Sequence, residues 1–270
     1  VYSHYDVQPP DPLGEWVHDP FSARMIEDKI FARGASDSKG NIMTYLKAVE
    51  TISKTGQEFP VNVKFLFEGE EEGGSPNLER LVEENKRLLE ADAVVCADQE
   101  LDASGRPLIS LGLKGMLYVE LNCTKSQTDL HSMWAPLVES PAWRLIQALS
   151  SLRGVDGRIM VDGWYDEVKK PSTDDLSLLK EIPFNDKKVQ ESLRVGEFKS
   201  NLRGAAALKN LIFEPTCNLS SLLSGYTGVG TKTVLPRTAM AKIDFRVVPD
   251  QNPKMLFKKL EKHLRDQGFS

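Results

Sequence analysis

The segment 61–75, Val-Asn-Val-Lys-Phe-Leu-Phe-Glu-Gly-Glu-Glu-Glu-Gly-Gly-Ser, constrains the fold of this chain more than any other. Its first part, residues 61–68, is rich in Val and Phe and predicts a buried strand. Three consecutive glutamates, 70–72, follow that strand, and Gly73-Gly74 then predicts a sharp turn. Adjacent carboxylates at the end of a strand repel one another unless a cation holds them, which suggests a metal. A solvated acidic loop is the alternative for such a triplet taken alone.

Two segments near the start of the chain carry further polar side chains. His4 and Asp6 are two residues apart in a short extended run, so their side chains project to the same side. A histidine that binds a metal through one ring nitrogen usually donates its other N–H to a carboxylate or carbonyl. Asp37 lies in the glycine-bounded loop 33–40, just before a helical pattern, and an isolated aspartate at this place could be a helix N-terminal cap.

Two later segments add the remaining candidates. Residues 92–97 predict a second buried strand with Asp98 at its carboxyl end, where open α/β sheets place their ligands. His131 lies further along, within Asp-Leu-His-Ser. The other two histidines, His18 and His263, are predicted to be structural, and His263 is expected on the solvated face of a charged amphipathic helix.

The order of predicted elements changes near Leu113, which indicates two domains. The first part alternates helices and strands, and this rhythm predicts an α/β layer with a mostly parallel sheet. Its predicted elements are a helix at 42–54, a strand at 61–68, a helix at 77–90 and a strand at 92–97. The second part has alternating strands and amphipathic helices, which predict an α+β domain with one sheet face covered. Its predicted elements are a strand at 115–124, a helix at 141–152, a polar stretch at 154–200, a strand at 238–248 and a helix from 253 to about 267.

Composition excludes several classes of protein. With 270 residues and a net charge of −5, the chain predicts a soluble globular protein that does not bind nucleic acid. Its apolar runs are far shorter than the ~20 residues that span a bilayer, so no membrane partner is expected. The three cysteines are widely spaced, which argues against a disulfide framework and against a thiolate zinc site. We recognise no signal peptide in a sequence that starts at Val1, and the predicted location is cytoplasmic.

Motifs spread along nearly the whole chain resemble those of the M20 family of metal-dependent exopeptidases and deacylases, and most closely its carnosinase-like branch of cytosolic dipeptidases. They are His-Tyr-Asp-Val-Gln-Pro (4–9), Arg-Gly-Ala-Ser-Asp-Ser-Lys-Gly (33–40), Glu-Gly-Glu-Glu-Glu-Gly-Gly-Ser (68–75), Gly-Trp-Tyr-Asp-Glu-Val (163–168), Gly-Thr-Lys-Thr-Val-Leu-Pro (230–236) and Asp-Phe-Arg-Val-Val-Pro (244–249). The resemblance implies a zinc-exopeptidase-like catalytic layer in 1–112 and an inserted, ferredoxin-like α+β lid or dimerisation domain in 113–270.

The resemblance also implies a centre of two divalent ions, zinc or alternatively manganese or cobalt. The ligands that it implies are His4, Asp37, Glu72 and Asp98. Asp37 would bridge the ions, with His4 and Asp98 on one of them and Glu72 on the other. Imidazole and carboxylate ligands suit these metals.

The implied reaction is hydrolysis of a peptide bond in dipeptides or short peptides. Glu71 matches the general base that takes a proton from water and passes it to the leaving amine. Asp6 matches the carboxylate that orients His4, while Glu70 lies outside the core pair. Hydrolysis of N-acyl amino acids by the same chemistry is the nearest alternative.

Three residues of the second domain match substrate-binding positions of the family. His131 would reach from one subunit of a homodimer to the substrate carbonyl in the other, and Thr233 and Arg246 would bind the substrate's backbone and carboxylate. Met-Trp-Ala-Pro at 133–136 replaces the glycines that usually follow the histidine, which predicts a stiffer and bulkier loop.

One expected ligand has no counterpart in this sequence. The family's second ion takes a final histidine from a C-terminal stretch that returns to the catalytic layer, and no remaining histidine of this chain is suitably placed. The expectation is therefore a fragment of a longer enzyme, or a degenerate chain that persists as a metal-binding, dimerising scaffold.

Overall fold

The computed structural model describes residues 1–98, 101, 105, 108, 110 and 112–269. The chain splits into two compact units, Val1–Ile109 and Ser110–Ser270. The helices and strands of the first unit are β1 (Tyr2–His4), β2 (Arg24–Ile26), β3 (Lys29–Phe31), α1 (Asn41–Lys54), β4 (Leu66–Glu68), α2 (Leu78–Glu84) and α3 (Lys86–Leu89). The two units are described separately below.

Strand β1 is the centre of the first unit's parallel pairing. It pairs with β4 in a register that sets Tyr2 opposite Leu66 and His4 opposite Glu68. On its other side Tyr2 forms a parallel bridge with Cys96. All three segments run in the same direction, so the residues that follow them emerge at one edge.

Both predicted strands of this unit are shorter than the sequence suggested. The run 61–68 is a strand only at Leu66–Glu68, and the run 92–97 contributes a single bridge at Cys96. Residues 61–65 have no strand partner among the described residues. Residues 61–64 are accordingly exposed rather than buried. Apolar composition favours a strand, but only a hydrogen-bonded neighbour makes one.

The loop that carries Asp37 begins at a glycine for two reasons. Gly34 has φ +78°, which disfavours a side chain, and a Cβ there would lie 2.6 Å from Val7 Cγ1. The loop Ala35–Gly40 then leads directly into α1, whose N-cap is Gly40 with no side-chain cap. The helix-cap interpretation of Asp37 is therefore wrong, and its carboxylate is available for another role.

The second unit is built on a three-stranded antiparallel sheet. Its elements are β5 (Gly115–Thr124), β6 (Leu130–His131), α4 (Pro141–Leu152), α5 (Thr173–Glu181), α6 (Asp186–Leu193), α7 (Gly204–Phe213), β7 (Thr216–Ser224), β8 (Val234–Leu235), β9 (Thr238–Val247) and α8 (Pro253–Asp266). The sheet order is β5-β9-β7, and β6 and β8 form a separate short antiparallel pair.

Alternation along β9 builds the core of this unit. Every second residue from Ala239 to Val247 is buried, whereas those between them face outward or are half-buried. Phe245, at the centre of the core, lies with its ring centroid 4.6 Å from that of the buried Trp164. Helix α8 contributes Leu256 and Leu260 to the same cluster. The core thus follows directly from the period of two in the sequence.

The stretch 154–200, predicted only as polar, contains two of the helices. In α5 a capping box joins Ser172 and Asp175, which satisfies orphan backbone N–H groups at the helix start. In α6 the side chain of Asn185 accepts a hydrogen bond from the backbone N–H of Lys188. No helix in the described part of the chain is long and apolar enough to cross a membrane.

Candidate active site

Three residues that are far apart in sequence meet at the edge where the parallel segments end. His4 closes β1, Asp98 follows the bridge at Cys96, and Asp37 lies in the loop before α1. His4 Nε2 is 2.9 Å from Asp37 Oδ1 and 3.5 Å from Asp98 Oδ1. One ligand atom from each of the three lies within 4.8 Å of the others, the only such group of three among the residues searched.

The donor set of this group fits a divalent cation. One imidazole nitrogen and two carboxylate oxygens converge, and these are donors that zinc and manganese accept. His4 is only 1% exposed, so its ring is held in place by the surrounding fold. Burial acts to lower the pKa of His4, but the negative charges of Asp98, Glu71 and Asp37 outweigh it, and the net shift of the pKa is upward. The pocket therefore attracts positive charge, whether a proton or a metal ion.

Asp6 connects His4 to the acidic segment after β4. Its Oδ1 lies 3.3 Å from His4 Nδ1, which is an ion-pair distance rather than a formed hydrogen bond. His4 Nδ1 is indeed a buried polar atom without a hydrogen-bond partner in the described chain. The Asp6 carboxylate accepts hydrogen bonds from the backbone N–H groups of Glu71, at 3.3 Å, and Glu72, at 3.0 Å. Asp6 thus fixes the backbone of these two glutamates as well as facing the histidine.

The three consecutive glutamates have three different environments. Both carboxylate oxygens of Glu70 accept hydrogen bonds from Asn77 Nδ2 at 3.0 Å, and Glu70 is not a member of the group formed by His4, Asp37 and Asp98. Glu71 is half-buried, and burial raises the pKa of its carboxyl. The positive charge of His4 acts against this rise, whereas the charges of Asp98, Glu72 and Asp37 add to it. The charges of His4, Asp37 and Asp98 therefore act on Glu71, and the proton affinity of its carboxyl is above that of an ordinary glutamate.

Glu72 is held by a residue that the sequence did not single out. Gln8 Nε2 donates to Glu72 Oε2 at 2.8 Å and to the Glu72 carbonyl at 3.2 Å, and the Gln8 backbone N–H donates to Oε1 at 3.2 Å. Glu72 is not a member of the group formed by His4, Asp37 and Asp98. A possible signal was the even spacing of His4, Asp6 and Gln8 along one extended run.

In the second unit the structure brings two of the three predicted substrate residues together. His131 pairs with Val234 between β6 and β8, and its Nε2 lies 3.2 Å from Thr233 Oγ1. His131 Nδ1 accepts a hydrogen bond from the backbone N–H of Met133, which assigns the ring proton to Nε2 and makes Thr233 Oγ1 the acceptor. Arg246 lies on β9 with its side chain exposed and its Nε 4.0 Å from Asp244 Oδ1.

The remaining two histidines lie outside the group formed by His4, Asp37 and Asp98. His18 meets the ring of Phe31 edge-on, with centroids 5.9 Å apart. The expected solvation of His263 is wrong, because this residue is half-buried and its Nε2 lies 3.1 Å from Ser151 Oγ on α4. On the amphipathic helix α8, this residue faces α4 rather than water.

The chain belongs to a family of peptidases. Residues 1–264 match Peptidase family M20/M25/M40, and this chain is a member of that family. Among curated relatives, it is 33% identical over 270 residues to the Beta-Ala-His dipeptidase of Homo sapiens, covering 98% of this chain and 53% of that protein. It is 32% identical to a Cys-Gly metallodipeptidase of Saccharomyces cerevisiae, covering 97% of this chain and 56% of the relative.

The chain is also similar to solved structures of M20 family peptidases. The crystal structure of an M20 family metallo-carboxypeptidase from Sulfolobus solfataricus superimposes with a TM-score of 0.93 at 44% identity, covering all of this chain and 61% of that one. The crystal structure of human carnosine dipeptidase 1 superimposes with a TM-score of 0.83 at 32% identity, covering 98% and 57%. The chain therefore spans between half and two thirds of the length of these four relatives.

Proposed function

We propose that this chain serves the metal-dependent hydrolysis of a peptide bond in dipeptides or short peptides. The observation that carries the proposal is the convergence of His4, Asp37 and Asp98 beside Glu71, whose pKa is raised. An N,O,O ligand set next to a half-buried carboxyl provides both a cation site and a proton acceptor. The named relatives include a Cys-Gly metallodipeptidase and a metallo-carboxypeptidase, which agrees with this chemistry.

In this proposal the residues of the first unit divide the work. His4, Asp37 and Asp98 would hold one divalent ion, and Glu72 and Asp37 would be ligands of a second. Bound divalent ions supply a polarised carbonyl and a more acidic water. Glu71 takes the proton of the attacking water and delivers it to the leaving amine. Its raised pKa suits both steps, since a group that accepts and then donates a proton works best near the ambient pH.

Substrate binding is assigned to the second unit. We propose that His131 contacts the substrate carbonyl, that Thr233 binds the substrate's backbone and that Arg246 binds its carboxylate. The 3.2 Å contact between His131 and Thr233 supports a joint role for these two residues. The exposed guanidinium of Arg246 has the donors for a bidentate pair with a carboxylate. Under this proposal residues 113–270 act as a lid and dimerisation domain in a homodimer, and residues 1–112 carry the catalysis in a cytoplasmic enzyme.

The proposal is tested with zinc-loaded, manganese-loaded and cobalt-loaded protein, assayed on dipeptides before and after chelation. Glu71→Gln keeps the size of the side chain and removes the base, so turnover is expected to fall by 10² or more. Glu70→Gln is the matched control, because Glu70 is hydrogen-bonded to Asn77 and lies outside the group formed by His4, Asp37 and Asp98. Full turnover in Glu71→Gln, or turnover that survives chelation, would show that the proposal is wrong.

A substrate panel separates the neighbouring activities. The metallo-carboxypeptidase similarity favours including N-blocked peptides beside free dipeptides, and N-acetyl amino acids test the deacylase alternative. A free amino terminus is required by a dipeptidase and is absent from the other two substrates. A chain that binds metal yet hydrolyses none of the three classes would instead support a metal-binding scaffold.

A further inference from the structure

Each of the three residues that converge at the candidate metal site has a neighbour in one buried hydrogen-bonded group. Ser3 precedes His4, Ser38 follows Asp37, and Ala97 precedes Asp98. Ser3 Oγ and Ser38 Oγ are 3.1 Å apart. Both hydroxyls approach the carbonyl oxygen of Ala97, from 2.8 Å for Ser3 and 3.1 Å for Ser38. We call this group the serine clasp.

The serine clasp is fully enclosed. Ser3 and Ser38 are each 0% exposed, and Ala97 is buried. The side-chain amide of Asn41, the first residue of α1, donates to the Ser38 hydroxyl at 3.2 Å. The hydrogen-bonded group therefore connects the start of α1 to the carbonyl of Ala97. Buried polar groups stabilise one arrangement only when every member is satisfied, and this group meets that condition.

The position of the clasp explains why serine hydroxyls are needed there. The backbone ladder between β1 and the 95–97 segment consists of Tyr2 N–H to Val95 O and Ala97 N–H to Tyr2 O. Within the described chain, the Ala97 carbonyl receives its hydrogen bonds from the two serine hydroxyls alone. Removing them leaves a buried carbonyl without a donor, which is costly. The hydroxyls therefore continue the connection at the point where the backbone ladder stops.

From this geometry we propose that Ser3 and Ser38 are positioning residues that set the spacing of His4, Asp37 and Asp98 before any ion binds. The inference rests on the proposed metal centre. Each serine is the sequence neighbour of a proposed ligand, so a shift of the serine clasp also moves the backbone of that ligand. Ligand atoms that are already within 4.8 Å of one another require little rearrangement when an ion enters. Groups that orient metal ligands without touching the ion typically change metal affinity by 10–100-fold when removed.

The test uses Ser3→Ala, Ser38→Ala and the double variant, with Co²⁺ as the probe ion. Alanine keeps most of the volume and removes only the hydroxyl. Ser36→Ala is the matched control, since Ser36 flanks Asp37 on its other side and is exposed. Co²⁺ affinity is measured by titration, and the visible absorption of bound Co²⁺ reports the arrangement of its ligands. Unfolding of the metal-free variants is followed in parallel to confirm that each one is folded.

We expect each single variant to lose about tenfold in Co²⁺ affinity, within the range for such groups. The double variant should lose less than the product of the two single losses, because the hydroxyls act as one group. The Co²⁺ spectrum should change in these variants and stay unchanged in Ser36→Ala. A purely structural role would lower the unfolding temperature while leaving the spectrum and affinity of the folded protein as they were, and that result would overturn the inference.

Failure of the inference and failure of the metal centre give different results. If wild type binds Co²⁺ and both serine variants bind it equally well, the clasp has no positioning role and the proposed function stands. If wild type and Ser36→Ala bind no Co²⁺, the metal centre is wrong and the inference falls with it. Should either serine variant fail to fold, Asn41→Ala provides a milder perturbation, because it leaves both serine hydroxyls in place and removes the amide that donates to Ser38 Oγ and, at 3.4 Å, to the Ser36 carbonyl. An unchanged spectrum and affinity in Asn41→Ala would then count against the clasp.

Discussion

Gln8 holds both carboxylate oxygens of Glu72, although 64 residues separate them in the sequence. One oxygen accepts from the Gln8 side chain and the other from its backbone N–H. Because each carboxylate oxygen has two lone pairs, these bonds leave room for a metal ion on the same carboxylate. The first extended run of the chain thus contacts the acidic segment through both Asp6 and Gln8.

Replacing Gln8 by methionine should weaken only the binding of the proposed second ion, for which Glu72 is a candidate ligand. Gln8→Met keeps the length of the side chain and the backbone donor but removes the amide. We expect a 10–100-fold lower affinity for that ion, as is typical when a ligand loses its supporting hydrogen bond. Zinc titration calorimetry measures this. Asn77→Leu is the control, because it removes an equivalent amide from Glu70. Equal effects of the two variants would contradict a specific role for Gln8.

Metal affinity should rise with pH through the raised pKa of His4. A metal must displace the proton from the imidazole, so affinity is expected to grow by about tenfold per pH unit below that pKa and to level off above it. Calorimetry in buffers of different ionisation enthalpy counts the protons released. Affinity that does not depend on pH between 5 and 8 would argue against His4 as a ligand.

In the metal-free chain, the raised pKa of His4 should make the free energy of unfolding fall as the pH rises. The folded state binds the His4 proton more tightly than the unfolded state does, since the pKa lies above the ordinary value of 6.5. This contribution is fully present below the unfolded pKa and is lost as the pH rises through the folded one. Denaturant unfolding of chelated protein at several pH values should show the decline, and His4→Gln should remove it.

Phe245→Ala should destabilise the second unit by about 3–5 kcal/mol, because it removes a fully buried ring that packs on Trp164. Chemical denaturation, followed by the fluorescence of the tryptophans, measures the loss. The neighbouring exposed residue provides the control, and Arg246→Ala should change stability by no more than about 0.5 kcal/mol. Comparable losses in both variants would mean that burial on β9 does not alternate as described.

A mixing experiment tests whether His131 acts on the site of another subunit. His131→Ala and Glu71→Gln proteins are each expected to be nearly inactive in hydrolysing dipeptides. Hybrid dimers would contain one site with both groups intact, so mixing should restore up to about a quarter of wild-type activity, assuming random subunit exchange and independent sites. Thr233→Ala should raise KM more than it lowers kcat, because it removes the partner of the His131 ring. If the subunits exchange and activity does not return, His131 serves its own site or none.

The sequence by itself determined the elements whose pattern is local. Periodicity predicted α1, α4 and α8 and the alternating strands β5 and β9, because a core-facing stripe on a helix or strand is written in consecutive residues. It also indicated family membership, since the motifs around His4, Asp37 and Glu71 lie in short continuous segments. Short helices such as α5 were not predicted, because their starts depend on single capping residues within a polar stretch.

Only the tertiary structure decided what depends on a distant partner. The runs 61–68 and 92–97 look alike as apolar segments, yet the register with β1 leaves each of them only a short paired portion. Glu70, Glu71 and Glu72 are identical as residues and differ solely in what faces them, namely Asn77, the His4 group and Gln8. Ser3 and Ser38 carry no signal in the sequence, because a buried hydroxyl matters only through the groups that the fold places around it.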